Sequence, residues 1–425
     1  MKKQLTALVL SIACASAMVS CGSGSDDSSA KNAAENTSAA KQKTTSATTE
    51  VVTSTQTKET TKATEADTTT EEVIEMLSYS DYVDKYKNRL SYGSGHCGYV
   101  DKNGNLYTWG GNLYGQLGDH FNDDKKKPVK VMDRVKSVSL GSQHSAAIKN
   151  DGSLYTWGYN AYGYLGDGTT DTRFTPVKVM DNVVSVSLGG NHSAAITSDG
   201  SLYTWGNNRF GQLGNGTKED SHVPVKIMDN VVSVSLGYEH SAAITEDGSL
   251  YTWGEGYSGK LGNGTYKDSL TPIKIMDNVS SVSLGFDHSA AITNDGSLYT
   301  WGYDYHGALG NGDADFDSST PVKIMDNVVS VSLGYFYSAA ITEDGSLYTW
   351  GKGDVGQLGN GTNKDSLSPV KIMDDVVAVG LGDSRAVAIQ LDSAIQEDKK
   401  FYSCSLYTWG GEMRGSTPTI IDIPE

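Results

Sequence analysis

Five histidines stand 48 residues apart, at His96, His144, His192, His240 and His288, and serine follows all but the first, where Cys97 takes its place. Histidine beside a hydroxyl suggests two chemistries, general-base activation of a nucleophile or ligation of a metal. Neighbours in an extended chain point to opposite faces, so His-Ser dipeptides are not nucleophile–base pairs. A unique site also does not recur at a fixed period. The column is therefore expected to be structural, each imidazole bridging backbone groups of its own unit; Tyr337 and Arg385 hold the sixth and seventh places. The repeated Gly-x-Leu-Gly-Asn-Gly-Thr precedes no helix, so it is turn chemistry and not a phosphate cradle. Asp313-Ala-Asp-Phe-Asp317 opens like a calcium loop but lacks the glycine and glutamate that such a loop needs at its sixth and twelfth places. No catalytic set, metal or cofactor is expected. Cys97 and Cys404, in the first and last units, are expected at opposite ends of their strands, out of disulfide reach.

The elements that position these residues are written seven times. All seven tryptophans, Trp109, Trp157, Trp205, Trp253, Trp301, Trp350 and Trp409, sit in Leu-Tyr-Thr-Trp-Gly, at spacings of 48, 48, 48, 48, 49 and 59. Within a unit, Val-Ser-Val-Ser-Leu alternates like a half-buried strand, and Asp-Gly between Ala-Ala-Ile-Thr and Leu-Tyr-Thr-Trp is a hairpin signal. Proline heads a fourth segment, Pro-Ile-Lys-Ile-Met, which suits an outer edge. The reading is all-β: seven four-stranded blades of a β-propeller over 90–425. The first unit lacks a preceding Pro-Val-Lys-Ile-Met segment and the last ends on one, so the two ends complement each other at a ring closure.

Ahead of the propeller the sequence reads as an address. Lys2 and Lys3 precede a short apolar run, and Met18-Val-Ser-Cys21-Gly resembles a bacterial lipoprotein signal, which implies lipidation (palmitate) of Cys21 after removal of 1–20. Residues 21–70 are Ser, Thr, Ala, Lys and Glu, too poor in apolar groups to offset chain entropy, and are expected to form a disordered tether. Residues 71–89 are a lead-in with a helical pattern. The chain is thus expected on the outer face of a bacterial membrane, held by lipid. With 34 Lys and Arg against 51 Asp and Glu, a formal charge of −17 speaks against nucleic-acid binding. No internal apolar run approaches the ~20 residues of a membrane span.

The string Ser-Leu-Gly-x-x-His-Ser-Ala-Ala-Ile, then Asp-Gly-x-Leu-Tyr-Thr-Trp-Gly and Gly-x-Leu-Gly, resembles the regulator-of-chromosome-condensation repeat family. The resemblance covers about Leu90 to the end and implies a seven-bladed propeller. It implies no single activity, because the family spans a nuclear exchange factor for a small GTPase, a secreted β-lactamase inhibitor and many surface proteins. An exported chain does not meet nuclear GTPases, so no GTPase partner is expected.

Function is then sought in what varies. The positions before each His and after each Trp-Gly carry Tyr114, Tyr159, Tyr162, Phe210, Tyr238, Tyr257, Phe286, Tyr303, Tyr305, Tyr335 and Phe336, with carboxylates among them. Tyrosine buries much area at small entropic cost and keeps a polar tip. A ring of these residues is expected to bind an extracellular protein or glycan, the chain acting as a monomer. The alternative is a propeller hydrolase or lyase acting on an extracellular polymer at the central mouth, to which Tyr337, Arg385 and the 392–404 insertion would contribute.

Overall fold

The computed structural model describes residues 89–313, 316–396, 399–411 and 415–420. The signal segment, Cys21, the tether and lead-in residues 71–88 lie outside them. Seven four-stranded antiparallel sheets follow in chain order over 90–132, 135–180, 183–228, 231–276, 279–325, 328–373 and 376–420, and each is built from consecutive strands. Blade four is representative, with strands Val231–Leu236, His240–Thr245, Leu250–Gly254 and Ser269–Met276. Its Asp-Gly turn forms because Gly248 adopts φ +79° and Asp247 accepts from the Ser249 amide at 3.1 Å.

The core lies between blades. Ala194, Ile196 and Leu202 of blade three pack against Val231, Val234, Leu236 and Trp253 of blade four, and neighbouring blades repeat the pattern. Trp157, Trp205, Trp253, Trp301, Trp350 and Trp409 are fully buried, whereas Trp109 at the closure is half-buried. The second glycine of Gly-x-Leu-Gly is required by this packing: a Cβ on Gly262 would lie 2.7 Å from Trp301 Nε1 of the next blade.

The histidines do not bridge their own blades as expected; each one staples two. His96, His144, His192, His240 and His288 reach with Nε2 to the serine hydroxyl of the following blade, Ser145, Ser193, Ser241, Ser289 and Ser338, at 2.8–3.0 Å. Each serine donates its only proton back to a loop carbonyl of the preceding blade, as Ser241 does to Gln212 at 2.7 Å. Trp253 Nε1 donates to the same carbonyl at 2.9 Å. A serine already donating can only accept from the imidazole, so each ring is the Nε2–H tautomer. Nδ1 is buried without a partner in all five. The pairs therefore have the wrong polarity for catalysis, since the nitrogen facing the hydroxyl carries a proton.

Where the pattern breaks, its partner breaks with it. Blade seven has Ala386 in place of the serine, and Tyr337, in the histidine place of blade six, instead donates its hydroxyl to the Arg385 carbonyl at 2.7 Å. The ring closes between blades seven and one through different chemistry. There Arg385 replaces histidine, Cys97 replaces serine, Tyr92 replaces leucine and Gly380 replaces the inner-strand serine that in blades one to four and six accepts the next blade's leucine amide. The Tyr92 side chain hydrogen-bonds with Arg385 and Cys97, and burial raises its pKa far above the usual value. Leu90, Tyr92, Cys97, Val377, Ala378, Val387, Ile389, Leu391 and Leu406 form the apolar closure. Cys97 is a buried thiol, while the Cys404 side chain lies outside the described residues. The 392–404 insertion is a hairpin extension, since Arg385–Gln396 pairs with Lys399–Gly410 in unbroken register to Gln396↔Lys399.

Candidate functional site

In an antiparallel blade, the turn after the first strand and the loop after the third emerge at the same end. Both variable sets therefore share one face, and backbone bonds tie them together: the Glu255 amide donates to the Glu239 carbonyl and the Tyr303 amide to the Asp287 carbonyl, both at 2.9 Å. The extended hairpin of blade seven leaves from the opposite face.

From blade two to blade five the face is stitched by the variable residue of Gly-x-Leu-Gly. Tyr164 donates its hydroxyl to Asn191 Oδ1 at 3.2 Å, and Gln212 Nε2 to Glu239 Oε2 at 2.6 Å. Lys260, with no exposed surface, pairs its ammonium with Glu255 of its own blade and Asp287 of the next. Burial pulls the Lys260 pKa down, but Asp287 and Glu255 outweigh it and hold the value above the ordinary one. Burial pushes the Glu239 carboxyl up to about 7, against the favourable Asn191 amide at 3.1 Å and with Glu255 adding to the rise.

The expected aromatic ring is two clusters. Tyr114, Tyr159 and Tyr162 gather with Tyr164 over blades one and two, at centroid distances of 4.7–5.9 Å. Tyr238, Phe286, Tyr335, Phe336, Tyr303 and Tyr305 form a continuous wall over blades four to six, linked at 4.2–6.0 Å. Phe210 stands apart with Arg209 5.3 Å over its ring, and Tyr257 is exposed. Sequence reasoning missed Tyr164, Lys260 and His306, whose Nδ1 meets Asp365 beside Tyr305. The signal for Lys260 was available, because a lysine there directly precedes a leucine buried in every blade that has one.

The RCC1-like domain profile matches residues 56–388. The chain belongs to the RCC1-like domain family. Among solved structures of this fold, human WBSCR16 is 25% identical, with a TM-score of 0.64, covering 69% of this chain and 84% of its own. Yeast RCC1 (Prp20), solved bound to Kap60, is 22% identical with a TM-score of 0.66, covering 86% and 91%. Prp20p from Saccharomyces cerevisiae, described with its binding to Gsp1p and histones, is 23% identical with a TM-score of 0.65, covering 82% and 90%. No curated protein matches this chain in sequence.

These structures correct the partner expectation. A propeller of this fold is recorded with Kap60, with the GTPase Gsp1p and with histones, so the exclusion of a GTPase or a nucleic-acid-associated partner, and with it the restriction to an extracellular protein or glycan, is withdrawn. At 22% and 23% identity the Prp20 structures give the fold, and those partners are theirs.

Proposed function

We propose that this RCC1-like propeller is a protein-interaction scaffold rather than an enzyme, and that it binds its partner on the aromatic wall over blades four to six. The observation that carries the reading is six contiguous rings contributed by three blades, with Tyr305 51% exposed at the rim. Aromatic anchors at the centre of a rigid surface are what interface hot spots are made of. The lysines on this part of the face are already paired, Lys260 with Glu255 and Asp287, and Lys352 with Asp354 at 3.3 Å. Acidic groups beside tyrosine faces favour a protein segment that presents Lys or Arg, through ion pairing and cation–π contact.

Affinity capture with the whole chain tests this. The variant Tyr303→Ala/Tyr305→Ala/Tyr335→Ala is expected to lose the partner that wild type retains, while Tyr162→Ala, in the other cluster, keeps it. Identical captured sets for wild type and the triple variant would sink the proposal.

We further propose that the scaffold is exported and lipid-anchored at Cys21, the reading that the Met18–Gly22 motif supports. Cys21→Ser is expected to abolish palmitate labelling in bacterial cells and release the protein from the membrane fraction. Unchanged labelling and fractionation would refute the anchor.

A further inference from the structure

The face opposite the aromatic wall carries a charge anomaly at blades one and two. Between Arg89 and Asn150 nine basic residues stand against five aspartates, in a chain whose formal charge is −17. The excess comes from places where these blades leave the repeat. Lys102 holds a turn position that is Asn, Ser or Glu in blades two to six, and Lys136 a strand position that is Val or Ser in blades three to seven. Lys149 stands where blades three to six have threonine. Arg134 has φ +56°, in the left-handed region, where four of the five other such turns use asparagine. A bulky side chain in that region costs backbone strain, and here the strain is accepted at an exposed cation.

Backbone bonds hold these positions at one corner. The Gly104 carbonyl accepts the Val135 amide and the Arg134 carbonyl the Asn150 amide, both at 2.9 Å. Arg89, Lys102 and Lys136 line one open recess of about 260 Å³ with Asn103 and Asn150. Lys102, Lys130, Arg134 and Lys136 are exposed. The Asp101 carboxylate is turned into its own loop, where it accepts the Asn103 and Asn105 amides at 2.9 and 2.8 Å. Blades two to six neutralise the lysine of the outer strand with an aspartate three residues on, at 2.5–2.7 Å. Among the described residues, the corresponding aspartate of blade one, Asp133, pairs with Arg134 at 3.5 Å.

We propose that this basic corner lies on the anionic lipid headgroups of the membrane to which Cys21 tethers the chain. The inference rests on the anchorage proposed above, which puts a bilayer within reach. The chain that leads from Cys21 joins the propeller at this corner, where the Arg89 carbonyl accepts the Val100 amide at 2.7 Å beside the Lys102 turn. Each Lys or Arg close to an anionic surface adds about fivefold to partitioning, and the attraction fades within about 10 Å, so it rewards cations that reach the surface together. On the same face the turns of blades three to six present Asp199, Glu246, Asp247, Asp295, Glu343 and Asp344. An anionic surface therefore attracts one corner and repels the remainder, and the propeller docks tilted. The aromatic wall, at the other end of blades four to six, then points away from the bilayer and stays open to its partner.

The test is cosedimentation of the full chain carrying Cys21→Ser, which has no thiol to lipidate, with vesicles of phosphatidylcholine alone or with about one third phosphatidylglycerol. This chain is expected to favour the anionic vesicles and to leave them when salt rises from about 0.1 M to about 1 M. Adding Lys102→Asn/Arg134→Asn/Lys136→Ser, residues that other blades use at these places, is expected to weaken partitioning about 100-fold. Asparagine suits the φ of Arg134, so the triple variant is expected to melt no earlier than its parent. Lys102→Glu alone, which leaves Arg134 in place, is expected to lose about 25-fold. Anionic-vesicle binding that survives these substitutions would overturn the proposal by placing the contact elsewhere, and equal binding to neutral vesicles would overturn it too. So would tighter binding to duplex DNA than to vesicles of equal phosphate content, which would make the corner a nucleic-acid contact. None of these readouts depends on lipid at Cys21, so failure of the patch is distinguished from failure of the anchor, which palmitate labelling reads.

Discussion

Acidification from pH 7.5 to 5 is expected to destabilise the propeller steeply, before ordinary carboxylates begin to protonate. Burial lowers His96, His144, His192 and His288 to about 3 and pulls His240 well below its usual value. The unfolded chain holds histidine near 6.5. Between those values the unfolded state binds protons that the folded state refuses, so stability is complete above about pH 7 and is lost as pH falls. Well below pH 6.5 each histidine approaches a limiting slope of about 1.4 kcal/mol per pH unit, so five acting together set an upper bound of about 7 kcal/mol per unit. Glu239 and Asp304 act in the opposite sense, since their folded values are raised to about 7 and about 6 and they favour the folded state as pH falls. Two groups do not cancel five. The structural reason is that a second ring proton would fall on an Nδ1 that has no acceptor. Urea unfolding at a series of pH values checks this, and His192→Gln is expected to reduce the slope by about one proton. A midpoint that does not move between pH 7 and 5.5 would refute it.

The second large effect is expected at Lys260. Lys260→Met removes the ammonium between Glu255 and Asp287 and leaves two carboxylates facing each other across an apolar chain. Breaking a buried pair costs about 3–5 kcal/mol. The lower end applies here, because the Glu255 and Asp287 side chains keep 20% and 14% exposure. Lys260→Gln, the residue at this place in blades one, three and six, is expected to lose less, since an amide can still donate to Asp287. Adding Glu255→Gln and Asp287→Asn to Lys260→Met should recover most of the loss, because no charge then remains unpaired. Chemical denaturation at pH 7.5 reads all three variants. A Lys260→Met protein within about 0.5 kcal/mol of wild type would show that the pair contributes only surface-level energy.

The propeller was legible because its signals are local. Alternating Val-Ser-Val-Ser-Leu, Asp-Gly and Leu-Tyr-Thr-Trp-Gly each specify a strand or turn within a few residues, and the period of 48 counts the blades. What escaped was every contact that crosses a blade boundary. The serine each histidine bonds is not its neighbour in sequence but the one 49 or 50 residues on, beside the next place in the column. Reading within one unit therefore assigned the imidazole to its own backbone. The aromatic ring failed to be one ring for the same reason: Tyr164 and Phe286, both buried, draw the exposed rings towards them, and that depends on which blades adjoin.

The closing seam carries a consequence for how the ring counts itself. Junctions made of His to Ser and Trp to carbonyl are interchangeable, so during folding any such blade can dock behind any other. Nothing in those junctions says how many blades complete a circle. Two junctions depart from this: blades six and seven meet through Tyr337 and Ala386, and the closing seam is made by Arg385, Tyr92 and Cys97, where blade seven offers no histidine and blade one no serine, so that each end fits poorly against an interior blade. One mismatched pair of ends thus acts as a key that rejects rings of the wrong number and keeps the two ends from inserting among the interior blades.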